Sequence, residues 1–175
     1  DITASHKTDL FTIAESFNES NPYDVNFTNS YIQTTVTKAF INITKTVGGD
    51  ITGEDFDNLS FNVYEVIGVG SDAEKVLIGT YSLGADFDKT IVNTNEYKYG
   101  LKNLIEVDAS KHYCVEEINY DVNTQKTVKV TYALNNGTEE SGFEAEVSNI
   151  SNTYTNQNPY LVAFNDQYTS KVGDL

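Results

Sequence analysis

The sequence predicts an all-β fold, an antiparallel β-sandwich of about seven to nine strands. Apolar and polar residues alternate through most of the chain, which is the period of a strand, and no long stretch keeps a helical period. Valine, isoleucine and threonine are abundant, and 12 Tyr and 9 Phe make the chain 12% aromatic. Residues of these types are enriched in strands. The 175 residues are enough to bury a sizeable core.

The predicted strands follow one another with short polar turns between them. They are 39–47, 60–68, 75–82, 88–93, 97–101, 112–119, 127–134, 142–150 and 160–168. Glycine, asparagine and aspartate mark several of the turns: GGD after Val47, GVGSD after Ile67, LGAD after Ser82 and NNGT after Leu134. Short strands at this spacing are typical of an immunoglobulin-like β-sandwich.

Charge and composition exclude several functions. Asp and Glu number 26 against 11 Lys, so the net charge of -15 repels phosphate backbones and anionic membrane surfaces. No apolar run is long enough to cross a bilayer, so we expect no membrane insertion in this fragment and no nucleic-acid partner. The single Cys cannot form an internal disulfide, and with two His it makes no recognisable zinc site. We therefore expect no metal and no cofactor.

An internal repeat divides the chain. The segment NPYDVNFTNSY at 21–31 matches NPYLVAFNDQY at 158–168, and the offset of 137 positions holds back to Ile13 and Ile150. Seven of these nineteen paired positions are identical. We interpret 1–35 as the last strands of a preceding repeat and 36–175 as one complete domain. Two similar edge strands within one domain are the alternative.

Three charged residues face inward by the same alternation. Lys45 is in phase with Ile43 and Val47 on the first predicted strand, and Glu117 and Asp166 lie on the inner faces of two later strands. Isolated buried ions are costly, so these side chains should meet. A buried lysine tends towards its neutral, nucleophilic amine, and a carboxyl group held against it can be attacked. The product would be an amide cross-link between strands.

Three motifs carry a resemblance to a known family. In chain order they are INITKTV, then YKYGLKNL followed by HYCVEE, and VAFNDQYT. The chain between 39 and 168 resembles the isopeptide-bonded immunoglobulin-like domains of Gram-positive pilins and surface adhesins, of the CnaB-like or streptococcal pilin-linkage type. In that family a Lys and an Asn are joined by an isopeptide bond, and a Glu assists the reaction.

The resemblance implies a role for each inward-facing charge. Lys45 takes the place of the amine, Glu117 that of the catalytic acid and Asp166 that of the acyl partner. Most of these domains have Asn where this chain has Asp166, so water would leave instead of ammonia. Asn152, in NISNTYT, is an alternative acyl partner, and Glu116 is the rival of Glu117. An unreacted buried ion pair, or a frayed sheet end, is the structural alternative to the bond.

The offset of 137 also places Asn29 opposite Asp166. Asn29 would then be the acyl partner of the preceding repeat, whose Lys would lie upstream of Asp1.

Two classes of function agree with these features. The first is a structural stalk or shaft module of a bacterial surface adhesin or pilus-like fibre, extracellular and attached to the cell wall through other regions. Its partners would be neighbouring repeats of the same polypeptide or fibre. The second is an adhesive module that binds a host protein or glycan through exposed tyrosines, for which Tyr97, Tyr99 and Tyr120 are candidates. In neither case do we expect an enzyme, since the only chemistry is autocatalytic cross-linking.

Overall fold

The computed structural model of the chain describes residues 12–32 and 35–171. The chain forms two compact units, Asp1–Thr34 and Thr35–Leu175. The division lies next to the domain boundary expected after residue 35. The assignment of the first unit to a preceding repeat stays a prediction.

In the first unit, the described residues contain turns but no strand. An isolated β-bridge joins Asn18 to Asn21, and the ring of Phe17 packs edge-on against Tyr23 with centroids 4.9 Å apart. Val25 and Phe27, which alternate as in a strand, are 45% and 64% exposed. This segment therefore has the pattern of a strand without the burial of one.

The second unit is a β-sandwich. Within its described residues there are eleven strands: β1 (Lys38–Gly49), β2 (Ser60–Ile67), β3 (Glu74–Ser82), β4 (Phe87–Asn93), β5 (Glu96–Leu101), β6 (Ile105–Asp108), β7 (His112–Ile118), β8 (Lys126–Leu134), β9 (Glu139–Ser141), β10 (Glu144–Val147) and β11 (Tyr160–Ser170). A 3₁₀ turn, Gly70–Asp72, and one turn of helix, α1 (Leu83–Asp86), complete the unit. The all-β prediction is confirmed.

The strands form two sheets. In the larger sheet the order is β4-β5-β1-β11-β8-β9, and β6 pairs with the first part of β1. The smaller sheet has the order β10-β7-β2-β3. Strands β1 and β11 lie at the centre of the larger sheet, and β7 is interior in the smaller one. The site residues of these three strands are thus not on the edge of either sheet.

The core lies between the two sheets and is built by alternation. Along β1 the burial pattern alternates, with Ile41, Ile43 and Val47 all inaccessible to solvent. Phe61 of β2 and Phe164 of β11 pack against one another between the sheets, with ring centroids 5.1 Å apart and the rings tilted by 44°. Because every second residue faces the opposite sheet, the local pattern of the sequence sets which side chains point into the core.

Two features of the strands differ from the sequence prediction: the direction of one pair and the bounds of one strand. The strands are antiparallel except for β1 and β11, which run parallel, with Ile43 opposite Val162. The period of a strand is the same in either direction, so the sequence pattern does not encode this. The strand predicted over 142–150 is wrong in its bounds. Gly142, at φ 140°, separates β9 from β10, and β10 ends at Val147.

Short elements account for the other differences. Strand β6 is four residues long, and the LGAD segment predicted as a turn forms α1. Such short segments give too few residues for a period to be recognised. In the described part of the chain, no helix has the length and apolar character needed to cross a membrane.

Candidate functional site: a buried lysine between two carboxyl groups

The structure brings together the three inward-facing charged residues. Lys45 lies in the second half of β1, Asp166 on the adjacent β11 and Glu117 on β7 of the facing sheet. All three side chains have 0% exposure. The cluster therefore joins the first strand of the sandwich to the last and to the opposite sheet.

Strand register explains why Lys45 and Asp166 are neighbours. In the parallel pair, Lys45 is opposite Phe164 and Val47 is opposite Asp166. The two polar residues are thus diagonal neighbours on the inner face of adjacent strands. A register shift of one residue would turn one of these side chains to the outer face.

The Lys45 amine contacts both carboxyl groups. Its Nζ lies 2.7 Å from Oε1 and 2.8 Å from Oε2 of Glu117, and donates hydrogen bonds to both. The same Nζ forms an ion pair with Oδ1 of Asp166. That oxygen is buried and accepts no hydrogen bond of regular geometry from the described residues. The amine is therefore hydrogen-bonded to Glu117 but only in close contact with the acyl group of Asp166.

Apolar side chains surround the cluster. On neighbouring strands, Phe61 is opposite Glu117, Phe164 is opposite Lys45, and the mostly buried Tyr99 is opposite Lys45 on the other side. Few dipoles are therefore available to solvate a charge. In such surroundings the neutral forms of amines and carboxyl groups are favoured.

Burial controls the protonation of Glu117. Loss of hydration raises the pKa of this carboxyl group well above its ordinary value, and the negative charge of the adjacent Asp166 raises it further. The ammonium group of Lys45 opposes both effects. Burial is the largest cause, so the protonated form of Glu117 is favoured here more than it would be in water.

A fourth polar group, which the sequence analysis did not assign, completes the cluster. The Tyr168 hydroxyl lies 3.1 Å from Oδ2 of Asp166 and donates a hydrogen bond to the Tyr120 carbonyl oxygen at 2.6 Å. Burial raises the pKa of this phenol above its ordinary value, so it remains protonated. Alternation places Tyr168 on the same face as Asp166, and that was the only available signal in the sequence.

The alternative site residues lie elsewhere. Asn152 is exposed in a turn, where it is not part of the buried cluster. Glu116 faces away from Lys45 and accepts a hydrogen bond from the Tyr64 hydroxyl at 2.9 Å. Asn29 belongs to the first unit and is exposed. Of the two acyl candidates from the sequence, Asp166 is therefore the one in contact with Lys45.

The tyrosines considered for ligand binding do not form an exposed surface. Tyr99 is 4% exposed, and Tyr97 and Tyr120 are partly buried against the core. Within residues 12–32 and 35–171, no group of three or more His, Cys, Asp or Glu side chains is arranged to hold a metal ion.

Fold and site together define a two-sheet β-sandwich with a buried lysine between two carboxyl groups. No protein-family model and no curated protein matches the chain. Two similar solved structures are of the major pilin from Streptococcus pyogenes, one of them a mutant. The pilin has 14% identity and a TM-score of 0.37 over 75% of this chain. The mutant has 15% identity and a TM-score of 0.36 over 77%. The chain spans about half of each pilin chain, 48%.

Proposed function

We propose that this protein is a structural stalk or shaft module of a bacterial surface adhesin or pilus-like fibre. In this proposal an isopeptide bond forms spontaneously between Lys45 and Asp166, with Glu117 as the catalytic acid and base. The observation that carries the proposal is the contact of the buried Lys45 amine with the Asp166 carboxyl group beside Glu117. Apolar surroundings and fixed geometry are the conditions under which an amine and a carboxyl group can condense.

The reaction is a condensation. The neutral amine of Lys45 attacks Cγ of Asp166, so that the Nζ–Cγ bond forms and the Cγ–Oδ2 bond breaks. Oδ2 leaves as water, with its own hydrogen and one from Nζ. Glu117 takes the proton from the amine and passes it on, so it ends the reaction in the state in which it began. Once it has taken that proton, its carboxyl group donates a hydrogen bond to the attacked oxygen and so stabilises the negative charge that develops there.

The position of the bond suits a load-bearing module. In a fibre, tension would enter through the residues before β1 and leave through those after β11. These two strands are parallel neighbours, so the tension would shear them past one another. A covalent bond between positions 45 and 166 would carry the load directly and leave the chain between them unstretched.

Composition and repeat organisation agree with this role. A single Cys cannot form an internal disulfide, so an amide cross-link would supply the stabilisation that many extracellular domains obtain from disulfides. The repeat with an offset of 137 positions suggests neighbouring units of the same polypeptide or fibre as partners. We place the protein outside the cell, on the surface of a Gram-positive bacterium.

The cluster is closed to solvent, so the chemistry acts on the protein itself and the module is not an enzyme for external substrates.

The intact mass of the denatured protein tests the proposal. We expect a mass lower than that of the sequence by one water, and we expect Lys45→Ala to show the full mass. Lys98→Ala is the matched control, because Lys98 is on the neighbouring β5 but its side chain is 60% exposed. This control should keep the deficit. An unshifted mass of the unmodified protein would overturn the cross-link, and loss of one ammonia would point to Asn152 instead.

A further inference from the structure

The first unit repeats the chain geometry that leads into β11. In the second unit, Tyr154 lies before this strand and its ring packs edge-on against Tyr160, with centroids 4.9 Å apart and an interplanar angle of 79°. In the first unit, Phe17 and Tyr23 form the same contact at 4.9 Å and 86°. Each ring of one pair lies 137 positions from its counterpart in the other pair, which is the offset of the sequence repeat.

The turns between these aromatic residues also match. Two backbone hydrogen bonds of the first unit recur in the second at the same offset and with similar lengths: Phe17 N to Ala14 O (3.1 Å) recurs as Tyr154 N to Ser151 O (3.2 Å), and Asn21 N to Asn18 O (3.0 Å) recurs as Asn158 N to Thr155 O (3.1 Å). Of these four paired positions, only Asn21 and Asn158 are identical. The turn is therefore kept where the sequence differs.

Segment 22–32, which follows these turns, carries the inward face of β11. In β11 that face is formed by four residues that are at most 3% exposed: Val162, Phe164, Asp166 and Tyr168. The matching positions of the segment hold the same residues, with Asn in place of Asp: Val25, Phe27, Asn29 and Tyr31. Here the Val, Phe and Tyr are 45%, 64% and 75% exposed. The segment thus has the core-facing side chains of a closing strand and leaves much of that face exposed.

The sandwich of the same chain cannot accept segment 22–32. In the place of β11, Tyr31 would lie opposite Gly49, as Tyr168 does. From Lys38 to Gly49, β1 covers 49 − 38 = 11 residue steps, which is roughly 36 Å. The chain from Tyr31 to Lys38 has 38 − 31 = 7 steps and spans at most about 25 Å. It is too short to return to the start of β1, so the acceptor is a different sandwich.

We propose that segment 22–32 is the closing strand of another sandwich of the same architecture, and that Asn29 is a second cross-linking site for a buried lysine of that sandwich. The partner lacks its own last strand and carries the lysine on its first strand, at the position of Lys45. The segment enters between the equivalents of β1 and β8, where main-chain hydrogen bonds hold it on both sides. We place this sandwich before the first unit in the same polypeptide, because a closing strand that leads into β1 is the order expected between successive repeats.

The chemical step at Asn29 rests on the proposed cross-link and differs from it in the leaving group. The neutral lysine amine attacks Cγ of Asn29, so that the Nζ–Cγ bond forms and the Cγ–Nδ2 bond breaks. Nδ2 leaves as ammonia, with its own two hydrogens and one from Nζ, and Oδ1 stays as the oxygen of the new amide. A carboxyl group at the position of Glu117 moves the proton.

The experiment uses the chain's own sandwich as the probe. Residues 35–148 of a second copy are placed directly before residue 12, in place of residues 1–11, and because 148 − 137 = 11 the join keeps the repeat offset. The added copy contains Lys45 and Glu117 but lacks β11, and segment 22–32 follows it. We expect the denatured two-unit chain to have lost one ammonia in addition to one water. A proteolytic digest should contain a peptide in which Lys45 of the added copy is joined to Asn29.

Two variants of the two-unit chain locate the reaction. Asn29→Ala should fold and lose water but no ammonia. Asn26→Ala is the matched control and should lose both. Asn26 lies on the same segment but corresponds to Ala163, which is out of phase with the inward residues of β11, so an alanine already stands at that position in the second unit.

Limited proteolysis of the two-unit chain shows whether the added copy is folded. Digestion of the added copy, with the second unit intact, would overturn the assignment of segment 22–32 as a closing strand. A protected added copy without loss of ammonia, beside a second unit that has lost water, would overturn the role of Asn29. Loss of neither water nor ammonia contradicts the proposed function, and protection of the added copy then decides the closing strand by itself.

Discussion

At the scale of single residues, the buried cluster is costly unless its members react or share protons. A lysine and two carboxyl groups with fully buried side chains give up their hydration, and the carboxyl groups also repel one another when both are ionised. Conversion of one amine and one carboxyl group into an amide removes both charges. The product is a neutral group between the sheets, which is far less costly to bury than ions.

Glu117 should be needed to make the bond but not to keep it. We expect Glu117→Ala to fold and to show the full sequence mass, because the only carboxyl group then in contact with the Lys45 amine among the described residues is that of the acyl partner itself. Stability should fall, since the bond between two positions 166 − 45 = 121 apart in sequence would no longer restrict the unfolded chain. By analogy with disulfides, this loss would reach about 4–5 kcal/mol, measured by denaturant unfolding.

Glu116→Ala is the control for this variant, because Glu116 is adjacent in sequence but faces the other way. It should keep the water deficit and nearly all of the stability. A persistent deficit in Glu117→Ala would show that another group, or proximity alone, promotes the reaction.

At the scale of elements, the parallel pair of β1 and β11 determines the site. The nine paired positions run from Ile41 opposite Tyr160 to Gly49 opposite Tyr168. The pair is flanked by β5 and β8, which leaves neither strand at a sheet edge. The register of β1 against β11, and the inward direction of the side chains at positions 45 and 166, are therefore fixed where the two must meet.

Gly49, at the end of this pair, should tolerate substitution poorly. It has φ +86°, and a Cβ there would clash with the backbone carbonyl of Tyr168. We expect Gly49→Ala to lower the melting temperature by more than Gly53→Ala. Gly53 also has a positive φ, +79°, but an added Cβ would meet no atom within 4 Å. An L-residue in this left-handed conformation costs about 1–2 kcal/mol, and the difference between the variants measures the clash.

Calorimetry of both variants, with their intact masses, checks this prediction. Equal melting temperatures would mean that the ends of β1 and β11 separate easily. Tyr168, which is opposite Gly49 in this pair, would then be held less rigidly than its burial implies.

At the scale of the whole molecule, the sandwich contains its own core. The buried apolar residues of the described chain lie between Ala39 and Tyr168. The cluster joins the first and last strands of that core, so the bond would enclose nearly all of the domain. An unfolded but cross-linked chain would be much more compact than a free one, and stability would come largely from that restriction.

Deletion of residues 1–34 should leave the melting temperature of the second unit nearly unchanged. The two units are separately compact, and we interpret the first as the tail of a preceding repeat. Thermal unfolding followed by circular dichroism, compared with the full chain, measures the effect. Loss of folding on deletion would show that the segment supplies an integral strand to the sandwich.

The sequence by itself determined the all-β class and the inward direction of the site residues. Both follow from the period of two, which is a local property: Lys45 lies in phase with Ile43, and Asp166 with Phe164, whatever the strands pair with. The constant spacing of 137 positions also marked Asp166 through its match with Asn29. Strands β6 and β9, of four and three residues, were missed because so few residues show no recognisable period.

Only the tertiary structure decided which inward-facing groups touch. Alternation placed both Asp166 and Asn152 on apolar faces, but the parallel pairing of β1 with β11 brings Asp166 to Lys45 and leaves Asn152 in an exposed turn. It also brings the Tyr168 hydroxyl to the carbonyl of Tyr120, 48 positions away. Strand order, direction and register arise from contacts between distant segments, and the period of a strand is the same for every neighbour it could have.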